Sequence, residues 1–326
     1  RGCGLMLARH AESLFWAGRY LERAEDTARI LDATQHATII RPNAAEQWGD
    51  LLTVLRIHEE FEATESEVDW RGVGNFLVAN PENPGSIASA VQTARENLRS
   101  VREQIPSEVW ETANRFHLEL SSHDLAADLD GEPYILFDLV KTHCQTVSGA
   151  IEQNMPRSDG YRFLTIGVLI ERALMTSRLL SIRWGHMAAG TFEDAMLTLS
   201  SVSAAEAFRR RHQSATDPVA ISSFLLRDAL FPRSTLYCLS RAELLLDNLV
   251  DRVPGRGRTE TVLGRVRSSL EFAELDEGSV DIPAFCAELD DGIRQVADAM
   301  AHQYFRNVDQ LSIRPQATVV SMGGHR

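Results

Sequence analysis

The 326-residue chain contains almost no lysine. Lys141 is the only lysine among 33 basic residues, so nearly all positive charge is carried by guanidinium groups, which differ from ammonium groups in geometry and hydration. A bias toward arginine codons explains this preference without any functional demand. Single arginines are therefore weak evidence for a site.

The chain also lacks the features of secreted, membrane-spanning and nucleic-acid-binding proteins. Its four cysteines stand at residues 3, 144, 238 and 286 without a Cys-x-x-Cys pair, so no disulfide framework or thiolate zinc site is indicated. No apolar run of about 18 residues and no signal-peptide core occurs. A net charge of -13 disfavours sequence-independent binding to nucleic acid or anionic membranes. We expect a cytoplasmic protein, with residues 1–5 left out of the fold prediction.

Motifs of several enzyme classes are absent as well. The sequence has no His-Glu-x-x-His, no Gly-x-Ser-x-Gly and no phosphate loop. It therefore contains no motif that indicates a metalloprotease, a serine hydrolase or a nucleotide hydrolase. A di-metal helical bundle needs Glu-x-x-His pairs, yet no glutamate precedes a histidine by three residues. The sequence therefore predicts neither a metal site nor a cofactor.

Apolar residues recur at spacings of three and four almost everywhere, and alternating strand patterns are absent. This periodicity predicts an all-α fold. In the N-terminal part we expect a loop carrying Gly72 and Gly74, and helices over residues 8–36, 45–60, 84–104, from 107 onward and 133–155.

One helical motif occurs twice. Seven residues recur 149 positions later, namely Gly18, Glu22, Arg23, Ala24, Thr27, Arg29 and Leu31 as Gly167, Glu171, Arg172, Ala173, Thr176, Arg178 and Leu180. Four more recur 148 positions later, namely Phe76, Leu77, Pro84 and Ser86 as Phe224, Leu225, Pro232 and Ser234. We infer internal duplication: two similar five-helix halves, 6–155 and 156–307, packed about a pseudo-twofold axis into one globule, and a mobile tail over 308–326.

The two copies of the motif predict where the halves meet. A glycine inside a helix costs about 1 kcal/mol relative to alanine, so Gly18 and Gly167 indicate a close approach of two helix backbones. The helices should cross there and bring Glu22 and Glu171 together near the axis. The copies are not equivalent, because Leu174 stands where the first copy has Glu25.

The charges on these helices have two interpretations. Buried carboxylates need guanidinium or hydrogen-bond partners, so they form either an ion network that pairs the halves or a polar cavity with acid/base or anion-binding chemistry. A similar choice exists at Pro232-Arg233-Ser234, where the start of a helix is either capped or binds an anion. We consider Glu22, Glu25 and Glu171 as candidate catalytic residues.

The first motif, from Arg9 through Glu12, Trp16 and Gly18 to Arg29, resembles the opening of the bacterial alpha-E domain family. Two later segments, Arg162 to Ala173 and Phe231 to Ser234, are similar to later motifs of that family, and the resemblance spans about residues 5 to 310. It implies a helical domain with a site of acidic and arginine residues. The candidate substrate-binding residues are Arg9, Glu12, Arg19, Arg23, Arg29, Arg162, Arg172, Arg178 and Arg233.

The resemblance also implies partners, because genes of this family typically neighbour or are fused to circularly permuted ATP-grasp proteins, often with a transglutaminase-like protease. The leading hypothesis is thus a subunit of an amide- or peptide-ligation system that binds a carboxylate-bearing peptide or amino acid, while ATP and Mg²⁺ bind the partner. Two alternatives stay open: a non-catalytic scaffold that docks the ATP-grasp protein, and a stand-alone amide-forming or amide-cleaving enzyme with Glu22 or Glu25 as general base.

Overall fold

The computed structural model describes residues 6, 8–40, 45–189, 191–212, 216–249, 257–275 and 280–305. Within these ranges all regular structure is helical, which confirms the all-α prediction. The predicted tail, 308–326, lies outside them. The helices are α1 (Ala8–Ile40), α2 (Ala45–Leu55), α3 (His58–Glu62), α4 (Trp70–Val78), α5 (Ile87–Ser100), α6 (Ser107–Ser122), α7 (Leu125–Asp130), α8 (Pro133–Asn154), α9 (Asp159–Ala188), α10 (Phe192–Ser201), α11 (Ala205–Arg211), α12 (Pro218–Arg227), α13 (Thr235–Asp247), α14 (Arg258–Glu271) and α15 (Ile282–Met300).

Helices α1 and α9 form the centre of the protein and pack against each other. Helices α5, α8 and α10 pack on α1, whereas α13 and α15 pack on α9. The outer layer repeats this arrangement, since α6 contacts α5 and α8 while α14 contacts α13 and α15. Buried apolar side chains from Ala11 to Phe305 form one continuous core.

The predicted loop at Gly72 and Gly74 is wrong, because these residues lie in helix α4. Asp69 caps the helix by accepting a hydrogen bond from the Gly72 amide at 2.8 Å. A Cβ atom at Gly72 would lie 2.1 Å from the carbonyl oxygen of Glu67. Gly72 is therefore needed for the tight entry into the helix, and the burial of Phe76 and its neighbours outweighs the low helix propensity of glycine.

The prediction of five helices in each half is also wrong, since the described part of 6–155 contains eight and that of 156–305 contains seven. The predicted helix over 45–60 is interrupted at Arg56, whose φ of 57° does not occur inside a right-handed helix. The helix predicted from residue 84 begins at Ile87, because Ser86 caps it by accepting from the Ser89 amide at 3.2 Å.

The predicted crossing of the two motif helices is present. A Cβ atom at Gly18 would lie 2.1 Å from the carbonyl oxygen of Leu164, and one at Gly167 would lie 2.1 Å from that of Phe15. Leu164 follows Phe15 by the same 149 residues that separate the glycines, so the contact is reciprocal. Backbone meets backbone at both points, and neither can accommodate a side chain without moving a helix.

We expect Gly167→Ala to lower the free energy of unfolding by about 3 kcal/mol or more, because the added methyl overlaps a backbone carbonyl that cannot rotate away. Gly185→Ala is the matched control on the same helix, since a Cβ there meets nothing within 4 Å. It should stabilise the protein by about 0.5–1 kcal/mol through helix propensity. Urea denaturation of both variants tests this, and equal effects would contradict the backbone contact.

Candidate functional site

Charged side chains exchange partners across the helix crossing. The Glu22 carboxylate accepts two hydrogen bonds from Arg172, Nε to Oε1 and Nη2 to Oε2, each at 2.7 Å. In return Glu171 accepts from Arg23 Nε at 2.6 Å and from Arg19 Nε at 2.7 Å. Each glutamate thus binds the arginine that follows the other one in sequence.

The arginines keep both glutamates ionised although each is only 3% exposed. Burial by itself raises the pKa of a carboxyl group, but the positive charges of Arg172 and Arg233 outweigh it and lower the pKa of Glu22. The same balance with Arg19 and Arg23 lowers the pKa of Glu171 to about 2. Two-point guanidinium–carboxylate contacts of this kind are among the stronger hydrogen bonds in proteins.

A second arginine, in the segment that precedes α13, reaches the first-copy glutamate. Arg233 Nη1 donates to Glu22 Oε1 at 3.0 Å and to Asp26 Oδ1 at 2.5 Å, and its Nη2 donates to Glu25 Oε1 at 3.1 Å. Thr176 holds this segment by donating to the Arg233 carbonyl at 3.0 Å. The residues gathered here form what we call the Glu/Arg cluster: Glu22, Glu25, Asp26, Arg29, Arg172 and Arg233.

The second-copy glutamate has no comparable surroundings. Residue 85, which precedes Arg233 by 148 positions, is a glycine, and Met175 occupies the position that corresponds to Asp26. Glu171 therefore contacts only Arg19 and Arg23 of the described arginines. This asymmetry extends the one noted between Glu25 and Leu174.

Asp26 is a member of the cluster that sequence reasoning missed. It is buried, and its Oδ2 has no hydrogen-bond partner. Burial and the negative charge of Glu22 raise its pKa to about 8, although Arg233 and Arg172 act in the opposite direction. At neutral pH it holds a proton beside an ionised glutamate. Its position one helical turn after Glu22 was the available signal.

A cleft of about 280 Å³ opens beside the cluster. Glu22, Glu25 and Arg172 line it on one side, and Arg241 lies exposed on the other. No residue in the described ranges makes a hydrogen bond or an ion pair with Arg241. The remaining lining is mainly apolar and hydroxyl-bearing, with Leu21, Cys144, Ser148, Ile151, Glu152, Tyr161, Leu164, Thr165, Val168, Leu169, Pro232 and Tyr237.

Four of the candidate residues lie apart from this site. Arg9 and Glu12 are exposed near the start of α1. Arg162 pairs with Asp159 one turn earlier at 2.7 Å, and Arg178 pairs with Asp290 of α15 at 2.5 Å. The structure thus brings Glu22, Glu25, Arg29, Arg172 and Arg233 together on one side of the crossing and Arg19, Arg23 and Glu171 on the other.

The family model of Alpha-E, described as a predicted alpha-helical domain with a conserved ER motif, matches residues 6–305. The chain belongs to the Alpha-E family. In this Alpha-E domain the Glu-Arg pair occurs twice, at 22–23 and 171–172. The exchange of partners across the crossing gives both pairs a physical role, since each neutralises the other inside the protein.

Similar sequences occur in mycobacteria. The uncharacterized protein Mb2597 of Mycobacterium bovis is 28% identical over 323 residues, which cover 88% of this chain and 36% of the relative. The uncharacterized protein Rv2567 of Mycobacterium tuberculosis is 27% identical with the same coverage. The chain thus spans about a third of the length of these relatives. No solved structure matches it.

Other chemistry has little support in the described parts of the chain. No three His, Cys, Asp or Glu side chains there are grouped so that they could hold a metal ion. None of the described helices is both long and apolar enough to cross a membrane. Burial raises the pKa of the Cys238 thiol to about 12, only partly offset by Arg172, so Cys238 is a small core residue and not an activated nucleophile.

The raised pKa of Asp26 predicts how the stability of the fold changes with pH. Between about pH 4 and pH 8 the folded protein retains a proton that the unfolded chain, with an ordinary carboxyl pKa of 3.8, releases, so this group destabilises the fold as pH rises. Asp26→Asn removes the effect. The difference between the free energy of unfolding of the variant and that of the wild type should therefore become more favourable to the variant from pH 5 to pH 8, by at most about 1.4 kcal/mol per pH unit.

Urea denaturation from pH 5 to 9 measures this difference. Asp138→Asn is the control, because it makes the same chemical change at a side chain that is 75% exposed on α8 and lies outside the Glu/Arg cluster. A pH-independent difference for Asp26→Asn would show that Asp26 is ionised in the folded protein.

Proposed function

We propose that the cleft beside the Glu/Arg cluster binds a carboxylate-bearing peptide or amino acid for an ATP-grasp-dependent amide- or peptide-ligation system. The observation that carries this proposal is Arg241, an arginine at the cleft for which the described residues provide no hydrogen-bond or ion-pair partner. Guanidinium groups bind carboxylates through two parallel hydrogen bonds. A substrate carboxylate on Arg241 would lie in the same cleft as Glu22, Glu25 and Arg172.

The charge of the cluster supports an anionic ligand. Three guanidinium groups, on Arg29, Arg172 and Arg233, face three carboxyl groups, of which Asp26 is protonated below about pH 8. The cluster therefore carries an excess of positive charge at neutral pH, and Arg241 adds to it. Apolar walls around such a site strengthen its attraction for a carboxylate because they lower the local dielectric constant.

We assign binding and packing to different sides of the crossing. Glu171 does not line the cleft, and its pairs with Arg19 and Arg23 hold α1 against α9. Glu22 faces the cleft but is a weak base, because its pKa is lowered. This disfavours the alternative of a stand-alone amide enzyme with Glu22 as general base. Asp26, whose pKa is raised to about 8, is the group able to donate a proton at neutral pH.

The remaining parts of the reaction are assigned to partners. The Alpha-E resemblance implies a circularly permuted ATP-grasp protein that binds ATP and Mg²⁺, with a transglutaminase-like protease as a second associate and the cytoplasm as the location. The greater length of the mycobacterial relatives supports a domain that works with additional sequence. The scaffold alternative has one observation in its favour, namely that Glu22 and Glu171 are both fully paired with arginines.

We also propose that the two halves arose by duplication and that only the first copy retains the site. Repeated residues at offsets of 148 and 149, together with the reciprocal glycine contacts, support this history. On this view Arg233 of the second half completes the acidic group of the first half.

Arg241→Gln tests the proposed site without disturbing the core, because the side chain is exposed. In a ligase assay reconstituted with the ATP-grasp partner, we expect the KM for the carboxylate substrate to rise about 10- to 100-fold, the loss of one charged hydrogen-bond partner worth about 1.5–3 kcal/mol. Arg115→Gln is the control, an equally exposed arginine on α6 that does not line the cleft. It should leave the KM unchanged.

The same variant separates the site from the scaffold. A scaffold predicts that Arg241→Gln leaves product formation unchanged, and this result would overturn the proposal. Glu22→Gln is a less clean probe, because it leaves buried Arg172 and Arg233 underpaired at a cost of about 3–5 kcal/mol. Its product formation is informative only alongside a denaturation curve that shows the variant is folded.

A further inference from the structure

A second cavity, of about 430 Å³, lies on the other side of the Glu25–Arg29 pair. It is a groove between α1, α2, α8 and α10. The single lysine of the chain, Lys141, lines it together with Arg29. Lys141 is the one ammonium side chain that the sequence provides, and it lies in this groove.

The polar lining of the groove carries both signs of charge. Arg29 and Lys141 are its cations, while the carboxylates of Asp32, Glu193 and Asp194 are its anions. Lys141 Nζ contacts Asp32 Oδ2 at 2.8 Å, and the next carboxylate, Asp138, is 3.9 Å away. An ammonium group has three protons to donate, so one hydrogen bond to Asp32 leaves Lys141 able to bind a ligand.

Apart from His36, Gln47, Ser200 and Ser203, the rest of the lining is apolar. Ala33 and Ala37 of α1 form one part of it, and Met196 and Leu197 of α10 form another. Phe192 stands at the groove and is 52% exposed. Cavities of this size, mostly apolar with a few placed polar groups, are typical of sites for small molecules.

Two buried side chains, one in the lining of the groove and one acted on by the charge of Asp194, have polar atoms for which the described residues provide no hydrogen bond. Gln47 lines the groove and its Oε1 has no partner. Arg183 is 1% exposed, and none of its three guanidinium nitrogens is hydrogen-bonded; its closest acid is Asp50, at 3.3 Å. The charge of Asp194, which lines the groove, also acts on Arg183. Unpaired buried polar groups are rare and mark positions where a ligand or water completes the structure.

We propose that this groove binds a small zwitterion of the amino-acid class with an apolar side chain. Its carboxylate binds Lys141 and Arg29, and its ammonium group faces the acidic wall with the Gln47 side chain behind it. Its side chain packs on Ala33, Ala37 and the apolar residues of α10. A free amino acid and a short peptide share this chemistry. The inference does not depend on the proposed function, because the groove shares only Arg29 with the Glu/Arg cluster.

Calorimetric titration of the full chain with four probes tests the proposal. L-leucine and L-leucyl-L-leucine carry both charges, N-acetyl-L-leucine lacks the ammonium group and L-leucinamide lacks the carboxylate. We expect saturable binding of L-leucine, of L-leucyl-L-leucine or of both, and the comparison of the two shows whether the groove prefers an amino acid or a short peptide. N-acetyl-L-leucine and L-leucinamide should both bind at least 10-fold more weakly. Binding of either analogue as tight as that of the parent compound, or no binding of the first two, would overturn the proposal.

Lys141→Met removes the ammonium group and retains an unbranched side chain, so it should weaken the binding of the parent probe at least 10-fold. Arg115→Met, on exposed α6, is the matched control and should bind as the wild type does. Thermal unfolding shows whether both variants are folded. Undiminished binding by Lys141→Met would place the ligand elsewhere.

The single lysine allows a second readout in the wild-type protein. Acetylation by an N-hydroxysuccinimide ester, followed at the Lys141 peptide by mass spectrometry, should slow at least 5-fold when the bound probe is saturating. An unchanged rate would contradict the placement even if binding is observed. Both measurements succeed or fail independently of any ligase assay.

Discussion

The backbone contact between α1 and α9 is the constraint on which the rest of the structure depends. At Gly18 and Gly167 the two helices approach until carbonyl oxygens occupy the positions of Cβ atoms. Such proximity needs glycine on both helices and buries most residues within one turn of the crossing, Glu22 and Glu171 among them. The charged residues of the motif are therefore buried because of the glycines, and their pairing follows from their burial.

Burial requires cationic partners for Glu22 and Glu171, and the exchange of partners across the crossing provides them. A buried carboxylate without a cation would be too costly, and each helix provides the arginine that the other one needs. The two sides then diverge. Arg233, which precedes α13, enters next to Glu22, where burial and the negative charge of Glu22 raise the pKa of Asp26. On the Glu171 side none of the described residues takes the place of Arg233 or Asp26, and the carboxylate pairs with Arg19 and Arg23.

The Glu25–Arg29 pair separates two cavities of different character. The smaller cleft adjoins a positively charged group and offers Arg241, whereas the larger groove combines charges of both signs with an apolar surface. Arg29 contacts Glu25 on one side and lines the groove on the other. A ligand that draws Arg29 into the groove would thus alter the charge that acts on Glu25, which gives a physical route by which the two cavities would influence each other.

The sequence predicted the helical fold, the crossing of α1 with α9 and the need of buried carboxylates on these helices for partners, but it left open whether the charges form an ion network or a polar cavity. The helical fold follows from the local periodicity of apolar residues. The crossing follows from Gly18 and Gly167, because a glycine inside a helix is unfavourable unless two backbones must come close. The sequence did not reveal helix α4, because burial of Phe76 overrides the low helix propensity of Gly72. The raised pKa of Asp26, the position of Arg241 at a cleft where no described residue pairs with it, and the groove at Lys141 became visible only in the three-dimensional structure. Each of these depends on which distant elements, α13 and α10 among them, come to lie beside α1, and the distances that set charge and solvent access are not encoded in the spacing along one helix.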